Sequence, residues 1–362
     1  MTAPESSTIS KRKSRQKDIC LEPPEPIETA KNRFNDISLL HHPLPEVDWD
    51  KLDTTTTFLG AKIALPIFIS CMTGGSDNGF RINRDLARHA QQYGIPVGLG
   101  SIRVLFRHEE VFDQFYVKPL APDVPVWANL GAVQLRELDH NVINEMVKRL
   151  EVQAMVIHCN AGQEMFQPGG DLNFVGLYDA IGRLCESSPI PVIVKETGFG
   201  MRVADVTRLR QCGAAAVDIA GSGGTNWIQV EAQCHEHRIA LRGRDFDLWG
   251  NPTPAILAAL PRDHLPVLAS GGVRTGVDIA KSLALGAELA GMALPFLRAQ
   301  HERGMDGLAI FTESLIHSFK SAMLLCGCQT IEQLQAAKLI LSDSFLSLVR
   351  QHAAHGEWRS LL

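Results

Sequence analysis

The sequence predicts an α/β protein built as a (β/α)₈, or TIM, barrel. Short apolar runs recur eight times, beginning at residues 63, 95, 124, 154, 191, 215, 266 and 288. Stretches with helical periodicity separate most of these runs; in 276–287, for example, apolar residues recur at i, i+3, i+4 and i+7. Continuous apolar strands that alternate with helices are typical of a parallel sheet buried on both faces. The eight units occupy residues 63–300, close to the ~250 residues of one closed barrel.

Two further segments flank the predicted barrel. Residues 1–62 form an N-terminal extension with a basic run, KRKSRQK at 11–17, and a proline-rich stretch, EPPEP at 22–26. Residues 301–362 have an amphipathic helical pattern. We expect this C-terminal helical segment to pack on the outside of the barrel.

The composition indicates a protein that buries a large core. Hydrophobic residues make up 45% of the 362, and the net charge is −5, which argues against a nucleic-acid partner. No apolar run approaches the ~20 residues of a membrane span, and the N-terminus lacks the apolar core of a secretory signal. The eight cysteines are scattered, with Cys326 and Cys328 as a lone CxC pair, which fits reduced thiols. We therefore expect a cytoplasmic protein with no membrane partner.

Glycine-rich turns follow two of the predicted strands. The sixth run leads into GSGGT at 221–225, and the seventh leads into SGGVR at 270–274, which opens a predicted helix. Backbone amides in such turns and at helix N-termini bind phosphate. The active site of this fold lies at the carboxyl ends of the strands. The two turns therefore predict a grip for the phosphate of a cofactor.

A lysine at the end of the fifth run indicates which cofactor this is. Lysine is rarely buried without a partner, and Lys195 ends a strand. It can donate to the electron-rich edge of an isoalloxazine ring and stabilise charge on a reduced flavin. Ser101 and Asn129, at neighbouring strand ends, can hydrogen-bond the ring or its ribityl chain. No GxGxxG follows the first run, which disfavours a Rossmann site; these residues favour FMN.

An ordered set of motifs carries a family resemblance. The motifs are MTGG (72–75), GLGS (98–101) followed by Arg103, NLG (129–131), HCNAGQE (158–164), KE (195–196), DIAGSGGTNW (218–227) and ASGGVRTG (269–276). Over residues 12–296 this set resembles the type 2, FMN-dependent isopentenyl-diphosphate delta-isomerases. The resemblance implies an enzyme of isoprenoid biosynthesis that interconverts isopentenyl and dimethylallyl diphosphate. It further implies Mg²⁺, a reductant such as NADPH, and a homo-oligomer, either a tetramer or an octamer.

The resemblance also implies roles for individual residues. The implied FMN contacts are Met72, Thr73, Gly74, Ser101, Asn129, Lys195, Ser222, Thr225, Gly272, Val273, Arg274, Ala293 and Leu294. The implied contacts to the diphosphate substrate are Arg12, Lys13, Ser101, Arg103, His158, Asn160 and Gln163. Gln163 is also the implied catalytic residue, and Glu164 is the implied magnesium ligand. Residues 1–62 would then act as a substrate clamp.

Two positions depart from the usual family pattern. Gln16 stands where the clamp usually has histidine, four residues after Arg12, and Ile102 replaces the glutamine of a GSQR motif. We expect these departures to alter substrate affinity, although Arg103 keeps the cation of the second motif. The fold and cofactor assignments depend on neither position.

The expected reaction adds a proton to one carbon and removes one from another, with no net oxidation. An amide is a weak acid or base, so Gln163 is expected to relay or position one proton while the reduced flavin carries the other. Trp227 and Glu231 are expected to support the flavin pocket, although core packing explains Trp227 equally well.

Three other functions are weighed against this one. An FMN-dependent hydroxy-acid oxidase or dehydrogenase shares the barrel and the phosphate grip. Its chemistry requires a histidine base and an arginine late in the barrel, and the sixth run ends in AGSGGTNW with neither. A nucleotide dehydrogenase requires a nucleophilic cysteine in that loop, which has none. A non-catalytic flavin- or phosphate-binding barrel is the third, and the HCNAGQE motif argues against it.

Overall fold

The computed structural model describes residues 4–28, 32–72, 77–234 and 243–353. Its centre is a closed barrel of eight parallel strands, each hydrogen-bonded to the next in chain order and the last to the first. The (β/α)₈ prediction is confirmed. The strands are β1 (Ile67–Ile69), β2 (Val97–Ser101), β3 (Val126–Gly131), β4 (Ala154–Cys159), β5 (Val192–Glu196), β6 (Ala216–Asp218), β7 (Val267–Ala269) and β8 (Leu289–Met292).

Prolines mark the amino ends of five barrel strands. Proline has no N–H to donate to the ladder, so it is tolerated next to the first residue of a strand. The carbonyl of each proline accepts a hydrogen bond from an amide of a neighbouring strand, at 2.9 to 3.0 Å. These bonds close the ladder at the bottom of the barrel. The prolines are Pro66, Pro96, Pro125, Pro191 and Pro266, before β1, β2, β3, β5 and β7.

The first apolar run is divided between two elements. Ile63 ends an antiparallel hairpin, Thr56–Phe58 with Ala61–Ile63, and β1 begins only after Pro66. The barrel strand therefore starts at Ile67 and not at residue 63. The hairpin places Phe58 inside the amino end of the barrel, with 5.9 Å between its ring centroid and that of Trp127.

Helices surround the barrel and extend beyond it at both ends of the chain. Short 3₁₀ turns lie at Phe34–Asp36, Trp49–Lys51, Ile102–Phe106, Glu109–Gln114, Lys118–Leu120, Ala132–Arg136 and Arg244–Phe246. The α-helices are α1 (Pro4–Leu21), α2 (Asp77–Tyr93), α3 (His140–Arg149), α4 (Ala161–Phe166), α5 (Leu177–Ser187), α6 (Val203–Gln211), α7 (Trp227–Gln233), α8 (Thr253–Ala259), α9 (Gly276–Ala284), α10 (Leu294–Leu325), α11 (Ile331–Gln335) and α12 (Asp343–His352).

The two flanking segments meet each other as well as the barrel. The basic run at 11–17 lies within α1, which packs against α7 and α10. Further along, Ile37–Leu39 pairs antiparallel with Leu339–Leu341. All eight cysteines are free thiols, as predicted.

The long helix α10 continues from the barrel into the C-terminal segment. It is bent at Arg303 and at Gly304, where φ is +57°. By length and apolar composition alone it is the one helix in the described residues that reaches the minimum for a membrane span. The bend divides it, and its buried Phe296, Leu308 and Phe319 belong to the barrel's core cluster.

Candidate active site

A cavity of about 490 Å³ lies at the carboxyl ends of the barrel strands. Each strand, or the turn directly after it, contributes to the wall, from Met72 after β1 to Ala293 after β8. Helix α1 closes one side with Arg12, Lys13 and Gln16. The volume falls in the ~300–1,000 Å³ range of ligand and cofactor sites.

Most of the predicted site residues meet in this cavity. Thr73 and Gly74 lie outside the described residues. The other predicted residues that line the cavity are Arg12, Lys13, Met72, Ser101, Arg103, Asn129, His158, Asn160, Gln163, Glu164, Lys195, Thr225, Gly272, Arg274, Ala293 and Leu294.

Two predicted cofactor contacts do not reach the cavity. Ser222 is buried, and its amide donates to the carbonyl of Asn251 at 3.0 Å, in the segment that follows β6. Val273 is fully buried. Neither side chain lines the cavity, and their contact with a cofactor stays a prediction.

The two glycine-rich turns form one wall of the cavity. At Gly271 and Gly272 φ is +88°, the left-handed region that favours glycine. The turns are so close that a Cβ on Gly224 would lie 2.7 Å from the Gly272 nitrogen. Within the described part of the chain, the amides of Gly271 and Gly272 donate to no protein acceptor. These two amides are suited to a phosphate.

The start of α9 contributes less to this grip than the sequence suggested. The carboxylate of Asp278 accepts hydrogen bonds from the amides of Arg274 and Thr275, at 3.1 and 3.0 Å. The amides of Arg274 and Thr275 are therefore not available to a phosphate. The Arg274 guanidinium donates to Glu28, from Nε at 3.0 Å and also from Nη2. Burial alone would raise the pKa of Glu28, but Arg274 and Arg298 outweigh it and hold that pKa below its ordinary value.

Lys195 supplies a buried cation beside the turns. Its Nζ donates to the Glu196 carbonyl at 2.5 Å and lies 3.6 Å from Asp218 Oδ2. Asp218 is held in turn by the Ser270 hydroxyl, at 2.7 Å. A preorganised cation in a site shielded from water is an effective stabiliser of negative charge on a bound group.

Asn129 and His158 form a neutral pair next to this lysine. His158 Nδ1 lies 2.9 Å from Asn129 Oδ1. Burial, assisted by the charges of Lys195 and Lys13, lowers the pKa of His158 to about 3, so the neutral imidazole donates through Nδ1. Asn129 Nδ2 is buried and has no hydrogen-bond partner in the described residues. Because buried polar groups normally have partners, this amide fits an acceptor on a ligand.

A cluster of cations faces the cavity from α1 and from the turn after β2. Burial, together with the nearby charges of Arg12 and Arg103, lowers the pKa of Lys13 to about 8. Arg12 Nε is buried and has no hydrogen-bond partner among the described residues. Such a concentration of positive charge is suited to an anion with several oxygens.

Gln163 and Glu164 are neighbours on α4 with different partners. Gln163 Nε2 donates to Glu231 Oε1 at 2.8 Å. Glu164 Oε1 accepts from Asn160 Nδ2 at 3.0 Å, and Oε2 accepts from the Asp171 amide at 3.0 Å. The helix therefore directs one side chain towards a buried acid and the other towards its own loop.

Sequence reasoning expected Glu231 only to support the flavin pocket and missed its hydrogen bond with Gln163. Glu231 lies on α7, is fully buried, and also accepts a hydrogen bond from Gln16 Nε2 at 2.5 Å. Burial raises its pKa, against the opposing effect of the Gln163 hydrogen bond and the Arg12 charge. The available signal was a single charged residue in the otherwise uncharged helix Trp227–Gln233. Trp227, as expected, lines the cavity.

Comparison with known proteins agrees with this geometry. The model of the family described as FMN-dependent dehydrogenase matches residues 25–162 and 173–341. Solved structures of a flavocytochrome b2 variant and a mandelate oxidase variant share the fold. The flavocytochrome b2 variant has a TM-score of 0.64 and 22% identity, over 91% of this chain and 81% of its own. The mandelate oxidase variant has a TM-score of 0.61 and 17% identity, over 94% of this chain and 99% of its own. At these identities the likeness concerns the fold alone.

Much closer relatives share most of the sequence length. The isopentenyl-diphosphate delta-isomerase of Nostoc sp. is 40% identical over 92% of this chain and 97% of its own. The isopentenyl-diphosphate delta-isomerase of Methanoregula boonei is 41% identical over 92% and 94%, and that of Borreliella afzelii is 38% identical over 94% and 95%. With this similarity over nearly the whole of each chain, the protein belongs to the isopentenyl-diphosphate delta-isomerases, an FMN-dependent family of isomerases.

Proposed function

We propose that this protein interconverts isopentenyl diphosphate and dimethylallyl diphosphate, with reduced FMN in the cavity and Mg²⁺ on the diphosphate. The observation that carries the proposal is that a cation cluster lines the same cavity as Gln163, which is hydrogen-bonded to a buried acid. The cations are Arg12, Lys13 and Arg103. The buried acid is Glu231.

The donors in the cavity fit FMN. The open amides of Gly271 and Gly272 suit its phosphate, and Asn129 Nδ2 with Lys195 Nζ suits the acceptor edge of its ring. When bound in its reduced form, FMN supplies an electron-rich ring with a nitrogen that can exchange a proton. Lys195, with Asp218 behind it, would hold positive charge beside the electron-rich edge of that ring.

In this proposal, positively charged side chains and a Mg²⁺ ion bind the diphosphate of the substrate. Arg12, Lys13 and Arg103 supply charge-assisted hydrogen bonds. No group of three His, Cys, Asp or Glu side chains in the described residues is arranged to hold a metal ion. Mg²⁺ commonly uses one or two carboxylates, the phosphates of the substrate and several waters. The buried carboxylate of Glu164 is suited to be the protein's single contribution.

The proton on the protein side comes from Glu231. The Gln163 amide is too weak an acid or base to act alone, but its Nε2 lies 2.8 Å from Glu231 Oε1. Burial favours the protonated form of that carboxyl because it raises the pKa. Glu231 is therefore suited to exchange a proton with the site, and the Gln163 amide bonded to it is the link towards the alkene. One proton gained and one lost leaves the substrate's oxidation state unchanged.

Hydroxy-acid oxidation is less well supported by this site. In the described residues, neither 218–227 nor 266–276 contains a histidine that could act as the base. Arg274, which a substrate carboxylate would need, is already held by Glu28. The family resemblance, and not the geometry, supports NADPH as reductant and a tetramer or octamer. The composition of the sequence supports a cytoplasmic location and the lack of nucleic-acid or membrane partners.

The test is an anaerobic conversion assay. Purified protein receives FMN, MgCl₂ and isopentenyl diphosphate, with the flavin either oxidised or reduced by dithionite, and proton NMR follows the product. We expect dimethylallyl diphosphate only with reduced flavin. Oxidation of a 2-hydroxy acid without any isomerisation would contradict the proposal.

A further inference from the structure

We propose that Gln16 is a positioning residue that couples the seating of α1 over the cavity to the orientation of Gln163. The inference rests on the proposed function, because the orientation of Gln163 matters only if the proton transfer takes place here. It concerns one of the two positions at which this chain departs from the family pattern.

The coupling is visible as two hydrogen bonds on one carboxylate oxygen. Glu231 Oε1 accepts from Gln16 Nε2 at 2.5 Å and from Gln163 Nε2 at 2.8 Å. Gln16 is buried, although it lies in the N-terminal helix. A residue of the clamp and the catalytic amide are thus linked through a single buried group.

The helix that Gln16 anchors is also the helix that carries the diphosphate cations. Arg12, Lys13, Gln16, Lys17 and Cys20 all line the cavity, and their spacing places them along one face of α1. Gln16 lies one helical turn beyond Arg12. If α1 moves relative to the cavity, the Gln16 hydrogen bond and the contact of Arg12 with a diphosphate therefore form or break together.

The hydrogen bonds to Glu231 and Asn160 also determine the orientation of the Gln163 side-chain amide. Glu231 Oε1 accepts from both side-chain amides, so it faces the Nε2 end of Gln163. The Oε1 end is then left 3.2 Å from Asn160 Nδ2. Loss of the Gln16 donor frees Glu231 to rotate, and Gln163 loses the fixed acceptor that sets its orientation.

The test uses three variants of the full FMN-loaded chain. Gln16→Leu keeps the side chain's bulk and removes the donor, whereas Gln16→His keeps an N–H donor. Ser14→Ala is the matched control, since Ser14 lies on α1 but does not line the cavity. The readouts are kcat, KM, the FMN dissociation constant from flavin fluorescence, and the rate of trypsin cleavage within 11–17 with and without magnesium pyrophosphate.

We expect Gln16→Leu to lower kcat by about 10- to 100-fold, the size expected when a buried polar group loses a hydrogen-bond partner. FMN affinity should be unchanged, and pyrophosphate should no longer protect α1 from trypsin. Gln16→His should retain most of both properties, and Ser14→Ala all of them.

Two results would overturn the inference. One is a Gln16→Leu variant that matches Ser14→Ala in kcat and in cleavage. The other is a rise in KM alone, which would mean that α1 acts only through its phosphate contacts. If the wild-type chain does not isomerise at all, the proposed function fails instead. Loss of pyrophosphate protection in Gln16→Leu would still support the docking role of Gln16, and retained protection would overturn it.

Discussion

Lys195 Nζ and Asp218 Oδ2 lie 3.6 Å apart at the carboxyl end of the barrel, with side-chain exposures of 8% and 2%. Burying such a pair removes two charges from water, which their attraction offsets only if both partners are present. Asp218 has further donors in the amide and hydroxyl of Ser270. The pair is therefore structural, and in our proposal Lys195 also supplies the cation that faces a bound flavin.

A charge-balanced double variant separates these two roles. Lys195→Met should lower the free energy of unfolding by about 3–5 kcal/mol, since it leaves Asp218 buried and uncompensated. Lys195→Met with Asp218→Asn should recover most of that loss in urea titrations of the apoprotein, but should not recover isomerase activity. Activity restored along with stability would show that Lys195 has only a structural role.

The Gln163–Glu231 hydrogen bond predicts that the two residues act as one unit. Gln163→Ala and Glu231→Gln should each lower kcat by ~10²–10⁴-fold, the usual scale of general acid–base catalysis. The double variant should be little worse than either single variant, because residues that act as a unit are non-additive. FMN affinity, measured by fluorescence, should stay near the wild-type value. Near wild-type turnover in Gln163→Ala would show that the proton-transfer assignment is wrong.

Magnesium dependence provides the test of Glu164. The Glu164 carboxylate also accepts a hydrogen bond from the Asp171 amide in the following loop. Removal of the whole side chain would therefore change the loop as well as the metal site. Glu164→Gln keeps an acceptor for that amide and loses the charge. We expect a higher magnesium concentration for half-maximal rate and weaker diphosphate binding, with unchanged FMN affinity. An unaltered magnesium titration would show that the metal is held elsewhere.

The pKa of Lys13 predicts an alkaline limit to substrate capture. Since burial and the neighbouring arginines lower this pKa to about 8 in the free protein, the charge is present below that pH and is lost as the pH rises through it. The pH profile of kcat/KM reports groups of the free enzyme, so it should fall on the alkaline side near pH 8. Lys13→Arg should move this limb to higher pH. If the alkaline fall of kcat/KM stays at the same pH in Lys13→Arg, a group other than Lys13 causes it.

The sequence predicted the barrel and most of the cavity wall because both depend on local signals. Apolar runs and the prolines before β1, β2, β3, β5 and β7 mark the strands, and polar motifs directly after the strands must lie at one end of a closed barrel. The Gln16–Glu231–Gln163 contact joins residues 215 and 68 positions apart, and no spacing rule brings them together. The sequence motif also did not reveal that the Asp278 side chain, as part of a helix cap, accepts hydrogen bonds from the Arg274 and Thr275 amides.

The most direct test of the central claim is the ratio of product formed to reductant consumed. Protein with stoichiometric FMN, reduced anaerobically by one equivalent of dithionite, is given excess isopentenyl diphosphate with Mg²⁺, while flavin absorbance and dimethylallyl diphosphate are followed together. The account predicts many product molecules per flavin, with the flavin still reduced at the end. One product per reducing equivalent, or a flavin reoxidised in step with product, would contradict it.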